Sequence, residues 1–214
     1  MSETPSHFIH NPMILPTFDP NRLQQQMQFV LEIDKLKGIL RQTLITDASR
    51  QENSAEHSWH IAMMAIALEE YAHQPVNLLH VIRLLLVHDL VEIDAGDTFC
   101  YDADGNQSKA AREIQAADRL FGLLPPEQGQ QLRAWWDEYE EQVTADAQFA
   151  KALDCLQPFL NNMQTNGHTW MLHGVHHAQV RDRMSAVQVG APALWPWVES
   201  QIEEAIAAGL LRAA

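Results

Sequence analysis

LLHVIRLLLVHDLVEI, residues 78–93, is the stretch that decides how the rest of the chain is read. Its apolar residues run almost without a break. A helix of this kind is not a surface helix with one wet side; it belongs in the middle of a bundle, buried on most faces. Arg83 and the His88-Asp89 pair interrupt it, so it does not qualify as a membrane span. An imidazole and a carboxylate in such a helix are costly to bury unless something compensates them. Glu92 follows one turn later, with Asp94 and Asp97 just beyond, and Gly96 marks the expected helix stop. A bound divalent cation resolves the conflict, because it supplies the positive charge that the stretch lacks.

Working outward, residues 1–18 read as an irregular arm with Pro5, Pro12 and Pro16. Asp19-Pro20 has the form of a helix start, and Phe29, Val30, Ile33, Leu36, Ile39 and Leu40 follow at helical spacing. Residues 43–53 are polar and predict a loop. Ser54 is a candidate cap for a helix carrying His57, Ile61, Met64, Ala65 and Leu68. Beyond the central helix, a loop is expected over 97–107 and helices over 108–121 and 127–142. Thr144 caps the next helix, 145–163, and two last helices fit 175–187 and 192–208. No period-two alternation stands out and no βαβ pattern appears. The fold class is therefore all-α, a single domain of about eight helices over 19–214, with 168–214 as a C-terminal helical extension.

Composition narrows the partners. The chain of 214 residues has 28 acidic and 14 basic side chains, a formal charge of −14. That deficit argues against a polymeric nucleic acid, whose backbone is gripped by Lys and Arg clusters. It leaves open a small anionic substrate, since one Arg and one cation can invert a local field. Two cysteines, Cys100 and Cys155, form neither a CxxC pair nor a disulfide framework. With no signal peptide visible, a reducing, cytoplasmic setting is expected.

His88-Asp89 needs further ligands. ENSAEHSWH places His57 one turn into a helix, and AKALDCLQPFL places Asp154 in mid-helix between apolar neighbours. Two imidazoles and two carboxylates suit borderline to hard divalent metals and leave positions for water. The ordinary alternatives are a hydrogen-bonded buried His57 and an Asp154–Lys151 ion pair. For the rest they are a solvated Glu92, a turn role for Asp97 and a plain surface charge for Arg41.

The order His57, His88-Asp89, Asp154, together with HDxxExxxGD over residues 88–97, resembles the HD-domain phosphohydrolase superfamily. ENSAEHS, HDLVEIDAGD and AKALDCL are similar to segments of its 5′-deoxynucleotidase-like branch, and NGHTWMLHG…GAPALW resembles the C-terminal part of that group. The resemblance implies one divalent metal (Mn, Co, Fe, Ni, Zn or Mg) on His57, His88, Asp89 and Asp154. It implies a bound water made acidic enough to attack phosphorus. Glu92 and Asp97 become the acid/base and positioning residues, with which of them is acid and which base left open; Glu92 is placed to orient the water or accept its proton, Asp97 to protonate the leaving oxygen. It implies an Arg for the substrate phosphate; Arg41 in LKGILRQTL is the match, although the family's aromatic context after that Arg is altered here, and Arg50 is the reserve. The substrate so implied is a small phosphorylated metabolite, first of all a 5′-(deoxy)nucleoside monophosphate. The assembly implied is a homodimer. Rival readings are an HD hydrolase of a cyclic, ppGpp-like or triphosphate nucleotide, and a non-catalytic metal or nucleotide sensor. No obvious basic cluster serves a long polyphosphate.

Outside this set, His173, His176 and His177 invite a second metal site at i, i+3 and i+4, with a polar helix face as the alternative. Trp135, Trp136, Tyr139 and Trp170 are expected as core or rim contacts, and 137–141 as a solvated acidic face.

Overall fold

The computed structural model describes residues 18–212; the arm expected over 1–18 lies outside them except for Phe18. Asp19 accepts from the backbone N–H groups of Asn21 and Arg22 and opens α1 (Pro20–Ile33), which a 3₁₀ turn, Asp34–Gly38, extends. The chain then makes an antiparallel hairpin, β1 (Leu40–Leu44) with β2 (Gln51–Asn53). This corrects the reading of 43–53 as plain loop. The two strands are three and five residues long with a register irregularity between them. Segments so short carry no legible alternation.

Next come α2 (Ser54–Leu68), α3 (Leu78–Val87), α4 (Glu92–Ala95), α5 (Ala103–Phe121) and α6 (Pro126–Glu141). The chain ends in α7 (Ala145–Gln164), α8 (His168–His173), α9 (His177–Gly190) and α10 (Trp195–Ala207). Eight of these helices among the described residues reach ten residues, in line with the all-α expectation. No helix among the described residues is long and apolar enough to cross a membrane.

The apolar run 78–93 is not one helix. It is α3, a 3₁₀ turn at His88–Val91, and the single turn of α4. Its continuous hydrophobicity has a packing cause. Val81, Leu84 and Leu85 enter a large core with α2, α7, α9 and α10, around Ile61, Phe149, Leu153, Val180 and Ile202. Val87, Leu90, Val91 and Ala95 enter a second core with α1, α5 and α6, around Phe29, Leu120 and Trp136. The segment thus buries both sides, and His88 sits where the two cores meet. Gly190 lets α9 lie against α7: a Cβ there would stand 2.1 Å from the Gln148 carbonyl oxygen.

Candidate metal centre

α2 begins with a capping box made by Asn53 and Glu56, not by Ser54. Ser54 is instead fully buried and donates to Glu92 Oε2 at 2.6 Å. One turn on, His57 is fully buried. Its Nδ1 lies 2.9 Å from Gln157 Oε1, while Gln157 Nε2 donates to Glu52 Oε1 at 2.6 Å and to His60 Nδ1 at 3.2 Å. With the Gln amide oriented by those acceptors, its oxygen must accept from His57, so the His57 proton is on Nδ1. Nε2 is left facing Asp154 Oδ1 at 3.1 Å.

His88 repeats the arrangement. Its Nδ1 donates to the Leu85 carbonyl at 2.8 Å. Its Nε2 is buried with no hydrogen-bond partner. Asp89 Oδ1 at 2.9 Å lies off the line of a ring N–H bond, and Asp154 Oδ1 is 3.8 Å away. Asp89 Oδ2 is 3.9 Å from His57 Nε2. Donors sharing one cation at roughly 2.1 Å stand about 3.0–3.5 Å apart. The donor atoms of His57, His88 and Asp154 lie within 4.8 Å of one another; Asp89 stands beside them, Oδ1 near His88 and Oδ2 near His57 and Arg41, without joining that convergent set. Two ring nitrogens with their other proton spent, turned on two carboxylates, fit a divalent metal. Among the described residues no other such group of three His, Cys, Asp or Glu converges.

Without a cation the cluster must hold protons. Burial alone would lower the His88 pKa, but the Asp89 and Asp154 carboxylates overcome it and raise it to about 10. Burial opposes ionisation of Asp89, yet His88, Arg41 and His57 hold its carboxyl below the usual range. For Asp154 the same burial penalty is outweighed by Lys151, the two imidazoles and Arg183. Glu92 goes the other way, pushed well up by burial and by Asp89. Asp97 is also raised, by burial first and Asp89 next, against the pull of Arg41.

Asp154 divides its work between its oxygens. Oδ1 faces the imidazoles, while Oδ2 accepts from Tyr139 Oη at 2.7 Å and from Lys151 Nζ at 2.9 Å. The ion pair weighed as the plain alternative is present, but it occupies the other oxygen and leaves Oδ1 to the cluster. Tyr139, inside the acidic run taken as a solvated face, is 1% exposed. Glu92, 5% exposed, is no solvated helix-end acid.

Above the cluster opens a cleft. Gly96, with φ +74° and ψ 153°, turns the chain out of α4 through a conformation reserved for glycine, and the following residue, Asp97, lines this cleft. β1 delivers Arg41 and Thr43 from alternate positions of one strand face. Arg41 Nη1 donates to Asp89 Oδ2 at 2.9 Å and lies 3.9 Å from Asp97, whereas its buried Nε makes no hydrogen bond and stands 3.8 Å from Glu52 Oε2. Its side chain is 12% exposed, so it is not a plain surface charge. Arg50, the reserve, is committed to Glu56 through two hydrogen bonds and does not line the cleft.

The three late histidines do not share a helix. Gly174 ends α8 after His173, and α9 begins at His177. His173 stacks near Phe99 and reaches Gln42, while His177 contacts Arg181, so they form no joint ligand set. Sequence reasoning missed Glu52, Gln157, Lys109 and Arg183. The sequence signal for Gln157 was a polar residue one turn after Asp154 on an apolar helix; Arg183 gave none.

The helical frame, the order of the four groups and the convergence of His57, His88 and Asp154 define one class. Residues 33–195 match the HD domain family, and the chain belongs to that family. A solved structure described as a predicted metal-dependent phosphohydrolase from Magnetospirillum magnetotacticum MS-1 is 54% identical, with a TM-score of 0.86, over 90% of this chain and 96% of that one. The 5′-deoxynucleotidase HDDC2 of Homo sapiens is 31% identical over 139 residues, 64% of this chain and 67% of that protein. That of Xenopus laevis is 32% identical over 64% and 68%. A conserved hypothetical protein from Pyrococcus furiosus, 21% identical with a TM-score of 0.54 over 85% of this chain and 99% of that one, shares the fold.

Proposed function

We propose that this chain is a metal-dependent phosphomonoesterase that releases phosphate from 5′-(deoxy)nucleoside monophosphates. The observation that carries the reading is the pair of imidazoles whose Nδ1 protons are taken by Gln157 and the Leu85 carbonyl. Both Nε2 atoms then turn on Asp89 and Asp154 at the floor of a cleft that also holds Arg41. The names of the 5′-deoxynucleotidase and phosphohydrolase relatives agree with it.

In this reading His57, His88, Asp89 and Asp154 hold one divalent cation. When bound, it supplies Lewis acidity at a phosphoryl oxygen and makes a water acidic enough to be a nucleophile near neutral pH. Arg41, which lines the cleft, donates to the phosphate and offsets its charge. Glu92, anchored through Oε2 by Ser54, orients the attacking water and takes its proton. Asp97, raised by burial, holds the proton that the departing 5′ oxygen needs. Attack runs in line with that oxygen.

We also read the chain as working in pairs. Trp59, Met63 and Ile66 form an exposed apolar stripe at i, i+4 and i+7 on α2, a face that suits a second copy. Sedimentation gives the answer, with a monomer at working concentration counting against it.

The test of activity is phosphate release from a panel of deoxy- and ribonucleoside monophosphates with Mn²⁺, Co²⁺ or Mg²⁺. Turnover of at least one monophosphate is expected. No release from any of them by protein shown to carry metal removes the nucleotidase reading. Diphosphate or triphosphate as product from longer nucleotides would move the assignment to another hydrolase of the family.

A further inference from the structure

Five of the arginines show what this acidic chain does with a guanidinium it has no other use for. Arg22, Arg50, Arg119, Arg133 and Arg181 each close on at least one carboxylate at hydrogen-bond distance. Arg183 does not. Its one hydrogen bond or ion pair with the described residues is Nη2 to Asp154 Oδ2 at 3.5 Å, the outer limit of a hydrogen bond, and its other close electrostatic neighbours are Cys155, Cys100 and Tyr139. Its side chain is 32% exposed and lines the cleft. With two acids for every base in the sequence, a carboxylate for it would be easy to supply.

The phase of α9 makes the contrast sharp. Arg181 and Arg183 are two residues apart, about 200° around the helix. Arg181 turns outward to Glu199 and Glu203 of α10. Arg183 turns inward to α7 and the metal centre. Holding Asp154 does not explain it. Tyr139 and Lys151 already donate to the same Oδ2 at 2.7 and 2.9 Å. A third, longer donor adds little orientation. A second cation behind a metal ligand also draws charge away from the oxygen that faces the metal. Once a divalent cation sits on Oδ1, one carboxylate is shared between it, Lys151 and Arg183, and the local excess of positive charge calls for an anion.

We propose that Arg183 is a second substrate-anion contact, donating its unengaged N–H groups to the phosphate from the Asp154 side as Arg41 does from the Asp89 side. This rests on the phosphomonoesterase reading above. The ligand class is a phosphomonoester, or free phosphate as product, held between two guanidinium groups that come from β1 and α9.

The probe is inorganic phosphate, titrated by calorimetry into metal-loaded protein, alongside direct measurement of metal affinity. Arg183→Met is expected to weaken phosphate binding on the order of tenfold or more. Its metal affinity should stay the same or rise, because Asp154 loses a competing cation. Arg183→Lys, which keeps the charge and loses the fork, should show a smaller loss of phosphate affinity. It also carries the test should the Met variant fail to fold. Wild-type phosphate affinity in the variants at full metal loading overturns the proposal. So does a fall in metal affinity with phosphate binding unchanged, which would make Arg183 a support for Asp154. In either case nucleotide turnover by the wild type leaves the phosphomonoesterase reading standing. A wild type that neither binds phosphate nor turns over a nucleotide brings down both.

Discussion

His57 has one ring nitrogen in each of two polar regions, and the two are built on opposite terms. On the Nδ1 side, Glu52, Gln157, Asn161 and His60 are matched donor to acceptor, with Gln157 Nε2 serving both Glu52 and His60. On the Nε2 side, buried polar atoms are left without a hydrogen bond: His88 Nε2 and Arg41 Nε have only carboxylates near them, Thr43 Oγ1 has no hydrogen-bond partner, and all three residues line the cleft. A buried polar atom without a partner costs roughly 1–3 kcal/mol. Three of them gather along one cleft, and three others, at His73, Arg112 and Trp136, lie apart from it; in the proposed reading the missing partners in the cleft are ligands. In the proposed reading the satisfied layer fixes ring orientation and the unsatisfied layer does the binding.

The hardest blow to that contrast is at Asp154, which belongs to both layers through its two oxygens. Asp154→Asn keeps the shape and removes the charge. Metal content should fall to background and turnover with it, by several powers of ten, since transition-state stabilisation by the cation is lost. Stoichiometric metal in this variant would show that the Asp154 carboxylate is not a required ligand. Glu92→Gln divides metal binding from chemistry. Metal should remain, while turnover drops about 10²–10⁴-fold for want of a proton carrier. Wild-type turnover would return Glu92 to a structural role beside Ser54.

Gln157→Leu attacks the matched layer alone. His57 Nδ1–H loses its acceptor, and Glu52, 3% exposed, loses its 2.6 Å donor. Metal affinity should weaken about 10–100-fold through a ring no longer held in place. Stability should fall by about 1–3 kcal/mol in denaturant unfolding. An unchanged metal affinity would show that packing, not the amide, orients His57.

The two layers were unequally legible in the sequence. The cluster itself could be read because a charge inside an apolar run is conspicuous: His88-Asp89 between Val87 and Leu90, Asp154 between Leu153 and Cys155. The helices around it were legible for the same reason, since long apolar periodicity has one cause. The break of 78–93 into α3, a 3₁₀ turn and α4 was not, because both cores demand apolar residues whatever the backbone does. β1 escaped because five residues carry too little pattern, although that strand is what brings Arg41 and Thr43 to the cleft. Glu52 and Gln157 meet across 105 positions, and Arg183 reaches Asp154 across 29. Such pairs follow from how helices pack, and no local pattern announces them.

The smallest effect is also the most general, because it needs no substitution. Without metal, His88 carries its proton up to about pH 10, against an ordinary value near 6.5. A pKa raised by folding gives stability that is fully present below the unfolded value and is lost as pH rises through the folded one. Glu92, raised by burial, works in the same direction at lower pH, its contribution fading as pH climbs above the ordinary carboxylate range. The metal-free protein should therefore grow less stable in denaturant between pH 7 and pH 10. The metal-loaded protein should not, because a ligated imidazole has already lost its Nε2 proton. Metal affinity should rise by up to about tenfold per pH unit over that window, and binding at pH 8 should release close to one proton into weak buffer. Unfolding curves with and without metal that stay parallel from pH 7 to 10, and no released proton, would show that His88 does not trade its proton for the cation. The unpaired nitrogen of the cleft would then need another ligand to explain it.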